Sequence, residues 1–169
     1  TRMKTLQATG ALEAIEPDYL ITHSATPGDA GYNQGWLWGL NNTGQNGGTA
    51  GIDIGAAKAW DTSTGSTNVI VAIIDTGIAY THQDLDGQMW INSEEIPGNG
   101  VDDDNDGYVD NVHGIDVINN DGDPMDDNSH GTHCAGTIGA RANDGHAHVG
   151  VTWTVRLMAC KFLSSDGWG

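Results

Sequence analysis

Two side chains stand where chemistry would need them. Asp75 directly follows the apolar run Val69 to Ile74, and His130 lies 55 positions later in "DDNSHGTHCAG". A carboxylate at the end of an apolar strand is buried with partners, closes a turn through its own backbone, or serves a site. Burying it unpaired costs too much, and "DTG" suits a turn former as well as a site. His130 opens a segment of small residues with helical spacing. A helix N-terminus disfavours imidazolium unless a carboxylate compensates, and an Asp from a neighbouring strand end would do so. For a histidine considered by itself, a capping or surface position is the plainer reading. The nearby His133 makes "HGTH" a conceivable zinc pair, but no Glu follows as in H-E-x-x-H and two further ligands are required. His146 and His148 in "NDGHAHVG" would complete such a site only if that loop turned inward, and an exposed loop is expected there.

A second chemistry is written in "DDDNDG". Asp102, Asp104 and Asp106 alternate, followed by Gly107, the backbone carbonyl of Tyr108, and Asp110. Alternate oxygens directed inward, with glycine permitting the sharp turn, form the pattern of a calcium loop. His113 occupies the twelfth position, where an EF-hand has its bidentate Glu, and no flanking helices are evident. A calcium loop inserted at about residues 98–113 of a larger domain is therefore expected. A solvated acidic turn would leave the mutual repulsion of these charges unexplained.

The elements that position these residues read as α/β, with a mostly parallel sheet flanked by helices and incomplete in this chain. The β-branched run before Asp75 predicts a strand buried on both faces. Further strands are predicted at 113–119 and 155–163, a helix over the small residues after His130, and a short helix at 53–60 with Asp53 as its N-cap. Residues 41 to 51 are rich in turn formers and predict a surface loop. Residues 1 to 24 predict a short helical or irregular piece leading into an extended stretch, with a boundary near 24 to 30.

The bulk composition fits one loop-rich domain: 169 residues, 37% hydrophobic, with 25 glycines and six tryptophans. Its 23 acidic against six basic residues give a formal charge of −17, the wrong sign for a nucleic-acid surface. That balance suits an extracellular protein that binds divalent cations. No apolar run approaches the length of about 18 residues that a membrane span needs. Cys134 and Cys160 are too few for a disulfide framework, and their apolar neighbours predict buried free thiols.

These motifs together carry a family resemblance. "VIVAIIDTGI" and "HGTHCAGT" resemble the Asp and His boxes of the subtilisin-like serine proteases, in the family's order, and "THQDL" resembles its H-P-D-L with Gln83 in place of proline. The "HGTHC" form is similar to the thermitase and proteinase K branches. The resemblance implies a secreted endopeptidase acting on polypeptides, in which Asp75 orients His130 and His130 is the general base for a serine. It implies a monomer when complete. No G-T-S-M-A-like serine box and no asparagine box for an oxyanion hole occur in these residues, so this polypeptide by itself is expected to be inactive. "IEPDYLI" resembles the end of an inhibitory propeptide, making residues 1–24 its tail and 25–169 the N-terminal part of the catalytic domain. By the same resemblance Asp116, Asn119, Asp121 and Asp123 match a second calcium loop. Asp84, with Asp29 and Asn143 beside it, matches a ligand of a third. A non-catalytic extracellular calcium-binding module is the competing reading.

Overall fold

The computed structural model describes residues 25–169, so the expected propeptide tail lies outside the described residues. Three parallel strands form the sheet: β1 (Gly65–Asp75), β2 (Gly114–Asp116) and β3 (Thr154–Lys161), in the order β1-β3-β2. Around them are helix α1 (Ala30–Asn33), helix α2 (Ala56–Trp60), helix α3 (His130–Gly139) and two 3-10 turns, Gln45–Gly47 and Gln83–Leu85.

β-Branched side chains favour the pleated conformation, and β1 duly runs through Val69, Ile70, Val71, Ile73 and Ile74. Its predicted burial on both faces is not found. Ile73 and Asp75 are buried, whereas Ile74 is 66% exposed, with Val69 and Ile70 exposed as well. The reason is positional: among the described residues a helix packs on only one face of β1. Helix α3 covers the face that carries Ile73 and Asp75, and the other face lies open to solvent.

Helix α3 lies close to the sheet because its inward positions carry almost no side chain. Gly131, Ala135 and Gly139 recur every four residues, one face of a helix, and all three are buried. A Cβ on Gly139 would come within 2.5 Å of Val155. The core beneath gathers Ile73, Ile78, Leu85, Met89, Ala135, Val155, Leu157 and Ala159. A second cluster joins Tyr32, Leu40, Ala56, Trp60 and Val149, where the Trp60 indole N–H donates to the Val151 carbonyl at 2.8 Å.

Three local expectations shift. Asp53 is not the N-cap of α2; Gly55 is, in a left-handed conformation, and Asp53 accepts the Gly55 amide from two residues upstream. Both cysteines are free, but they are half-buried rather than fully enclosed. His146 and His148 are likewise half-buried, not exposed.

Candidate active site

β1 delivers Asp75 to the carboxyl edge of the sheet, where ligands and chemistry collect in open parallel sheets. α3 delivers His130 from its first turn. The imidazole Nδ1 lies 2.7 and 2.8 Å from the two Asp75 carboxylate oxygens. An ionised carboxylate only accepts, so this contact fixes the ring proton on Nδ1 and leaves the Nε2 lone pair available. The Asp75 side chain is 12% exposed and that of His130 is 64% exposed: one end of the pair is sheltered and the other faces outward. Burial pushes the Asp75 carboxyl up, but hydrogen bonds from His130 and the Thr76 amide together outweigh it and hold the group below the usual carboxylate range.

The close approach of α3 to β1 depends on a missing side chain. A Cβ on Gly131 would lie 2.1 Å from the Gly77 carbonyl oxygen and 3.2 Å from the Asp75 Cβ. Around this junction Thr76 donates its hydroxyl to Asp126 at 2.8 Å and accepts the Gly131 amide at 2.9 Å. Asp126 also accepts the amides of Asn128, Ser129 and Thr132. Burial pushes its carboxyl up, yet the hydrogen bonds from Thr132 and these amides bring it down to about 2. Ser129, immediately before His130, is held at φ 85, a conformation that costs a non-glycine residue energy. The Cys134 sulfur sits 3.9 Å from His130 Nδ1. Burial first, then the charge of Asp75, push this thiol up. It is therefore a poor nucleophile, since the reactive species is the thiolate.

The acidic segment is organised by a residue that sequence spacing did not single out. Glu95 is buried; its Oε1 accepts the amides of Asp103 and Asp104 and its Oε2 that of Asp110. Ligand atoms of Glu95, Asp102 and Asp104 lie within 4.8 Å of one another. Asp106 joins through its amide, which reaches Asp102 and Asp104, while its own carboxylate accepts from Tyr108 and Asn111. Asp110 turns away, accepting the amides of Gly98, Asn99 and Gly100. His113 also turns away, contacting the Trp90 carbonyl and stacking on Tyr80. Glu95 has no motif position, because the fold of residues 92 to 111, not their spacing, carries it to the cluster.

The other acids divide. Asp116 is buried and spends its oxygens on Ile118 and Asn119; Asp121 and Asp123 accept from their own loop, with Tyr80 added at Asp123. Among the described residues these three enter no group of metal-capable side chains. Asp84 does, with Asp144 and His146, and buried oxygens of Asp84 and Asp144 have no hydrogen-bond partner. Burial and the Asp144 charge push the Asp84 carboxyl up. Asp29 accepts the Asn143 amide nearby. His133 joins neither His146 nor His148 in such a group.

Residues 66–169 match the model of the subtilase family. The chain belongs to that family. It is 34% identical over 167 residues to a thermophilic serine proteinase of Bacillus sp. (strain AK1), covering 99% of this chain and 33% of the relative. It is 47% identical over 100 residues to subtilisin-like protease 1 of Plasmodium vivax, covering 59% and 16% respectively. To the PC3-like endoprotease variant B of Hydra vulgaris it is 30% identical over 135 residues, covering 77% and 16%. The chain thus spans a third or less of the length of these curated relatives. As a subtilase, it has the α/β sheet of parallel strands flanked by helices that its sequence predicts. No described helix is long and apolar enough to cross a membrane.

Proposed function

We propose that this subtilase chain supplies the acid–base half of a secreted serine endopeptidase, with Asp75 as the orienting carboxylate and His130 as the general base. The observation that carries the reading is the two-oxygen contact of Asp75 with His130 Nδ1, leaving Nε2 on the exposed side of the ring. Nε2 there would take the proton of a serine hydroxyl as it attacks a peptide carbonyl, then return it to the leaving amine. The imidazolium formed between these steps would be stabilised by the ionised Asp75. The attacking serine is not assigned among residues 1–169, and the substrate is a polypeptide chain. Residues 1–24 act as the tail of an inhibitory propeptide, and the completed enzyme is a monomer.

Calcium is the ion this reading assigns to the acidic segment. Its donor set of Glu95, Asp102 and Asp104 is all oxygen, the hard-ligand chemistry that calcium prefers. These residues would hold the ion, and the charge it supplies would neutralise converging carboxylates. Asp84 and Asp144, with their unpartnered oxygens, are a further place for a cation. Neither group touches His130, so the assigned role is stability, not turnover.

Peptide hydrolysis by the full-length protein tests the proposal. Wild-type turnover abolished by His130→Ala, with the circular dichroism spectrum unchanged, is the expected result. A folded His130→Ala protein that cleaves peptides at the wild-type rate would overturn it. Calcium binding without any peptidase activity would instead favour the non-catalytic calcium module.

A further inference from the structure

Lys161 ends β3 with its side chain only 2% exposed, yet it carries an ammonium. The inward positions before it are Val155, Leu157 and Ala159, all buried and apolar. An apolar residue would continue that face at no desolvation cost, so a buried cation there calls for a specific return. Register supplies the setting. Lys161 pairs with Asp75 on one side and Asp116 on the other, so the three strand ends present an acid, a base and an acid in one row. Asp116 is already occupied by its own turn. The ammonium reaches forward instead, donating to the Thr76 carbonyl at 2.7 Å and to the Asp127 carboxylate at 2.6 Å. Thr76 follows Asp75, and Asp127 lies three residues before His130.

We propose that Lys161 is a positioning residue for the Asp75–His130 pair: its buried ammonium ties the end of β1 to the loop that delivers His130. The inference rests on the serine-endopeptidase reading. The Asp127 side chain is half exposed, so without the ammonium nothing described holds it inward. The loop of residues 126 to 130 then gains freedom in the direction that separates the imidazole from the carboxylate. Asp126 holds the same loop to Thr76 through the hydroxyl, and Lys161 holds it through the carbonyl. Small displacements of a catalytic base are costly because proton transfer demands hydrogen-bond geometry.

Steady-state kinetics on the full-length enzyme, with an Nδ1-proton NMR spectrum of each variant, test the clamp. Lys161→Met is expected to lower kcat by roughly ten- to a hundredfold, with KM changed by less than about twofold. Asp127→Asn is expected to lower kcat in the same direction by a smaller factor. The double variant should lose no more than Lys161→Met alone, since both remove one interaction. The low-field proton of the His130–Asp75 hydrogen bond should shift or broaden in Lys161→Met. A folded Lys161→Met enzyme with wild-type kcat and an unmoved proton signal overturns the proposal, as does a kcat loss explained entirely by a smaller folded fraction. Should Lys161→Met fail to fold, Asp127→Asn decides: wild-type kcat and signal in that variant overturn the clamp. A wild-type enzyme without peptidase activity would sink the endopeptidase reading, while the proton signal, which needs no turnover, still judges the clamp.

Discussion

Asp75 and Asp126 each receive a donor from across the fold, an imidazole 55 positions away and a threonine hydroxyl 50 positions away, in addition to amides one to six positions away. The carboxylates of residues 92 to 111 receive donors from their own neighbourhood, mostly amides two to fifteen positions away. In the first region donors from outside the loop are built in: His130 Nδ1 meets Asp75, and the Lys161 ammonium meets Asp127 beside Asp126. In the second, Glu95, Asp102 and Asp104 converge with no Lys, Arg or His among their hydrogen-bond partners in the described residues. Acids that the protein itself neutralises can be aimed at another side chain, whereas acids left to an outside cation are organised around a space. Acids partnered by the protein mark the candidate reaction centre, and acids converging without a cationic side chain mark the candidate ion site.

The sharpest break between the regions is in turnover. In the full-length enzyme Asp75→Asn is expected to lower kcat about 10⁴-fold, because the imidazole loses its tautomer and orientation; peptide-hydrolysis assays read this. Glu95→Gln should leave kcat near wild type. Calcium removal comes next. Chelation with EGTA should lower the melting temperature, by the equivalent of about 3 kcal/mol if the free ion stood a hundredfold above its Kd. Glu95→Gln should shrink that EGTA effect, and an unshifted melting curve with and without chelator would count against calcium at this cluster.

A smaller effect concerns acid. The folded-state value of Asp126, about 2, lies below the ordinary 3.8. Its contribution is therefore complete above about pH 4 and is lost as pH falls toward 2. Urea unfolding should show Asp126→Asn less stable than wild type at pH 7, with the gap closing between pH 4 and 2. The smallest expected change is Cys134→Ala. Its thiol is pushed up and so is a poor nucleophile, and kcat should stay within about threefold of wild type.

Much of the candidate site was legible because its residues announce themselves locally. Asp75 ends a β-branched run, and His130 opens a segment of small residues, so strand, helix and the two functional positions come from adjacent letters. Asp102 and Asp104 were legible from alternation. Glu95 was not, since its approach depends on the folding of a loop from Asn92 to Asn111. Lys161 was also hidden: in "VRLMACKF" a lysine at an alternating position reads as solvent-facing, and only register beside Asp75 and Asp116 explains its burial. The strand of Val69 to Ile74 was right in type and wrong in surroundings, because periodicity reports what a segment can bury, not which neighbours cover it.

Gly131 offers neither a charge nor a donor side chain to any reaction, yet its missing side chain sets the reach between β1 and α3, since a Cβ there would fall 2.1 Å from the Gly77 carbonyl oxygen. A saturation screen for lost activity should therefore flag this position alongside His130. Its failures would be graded by side-chain volume rather than by polarity, with alanine already damaging, which is the profile of a spacer and not of a reagent.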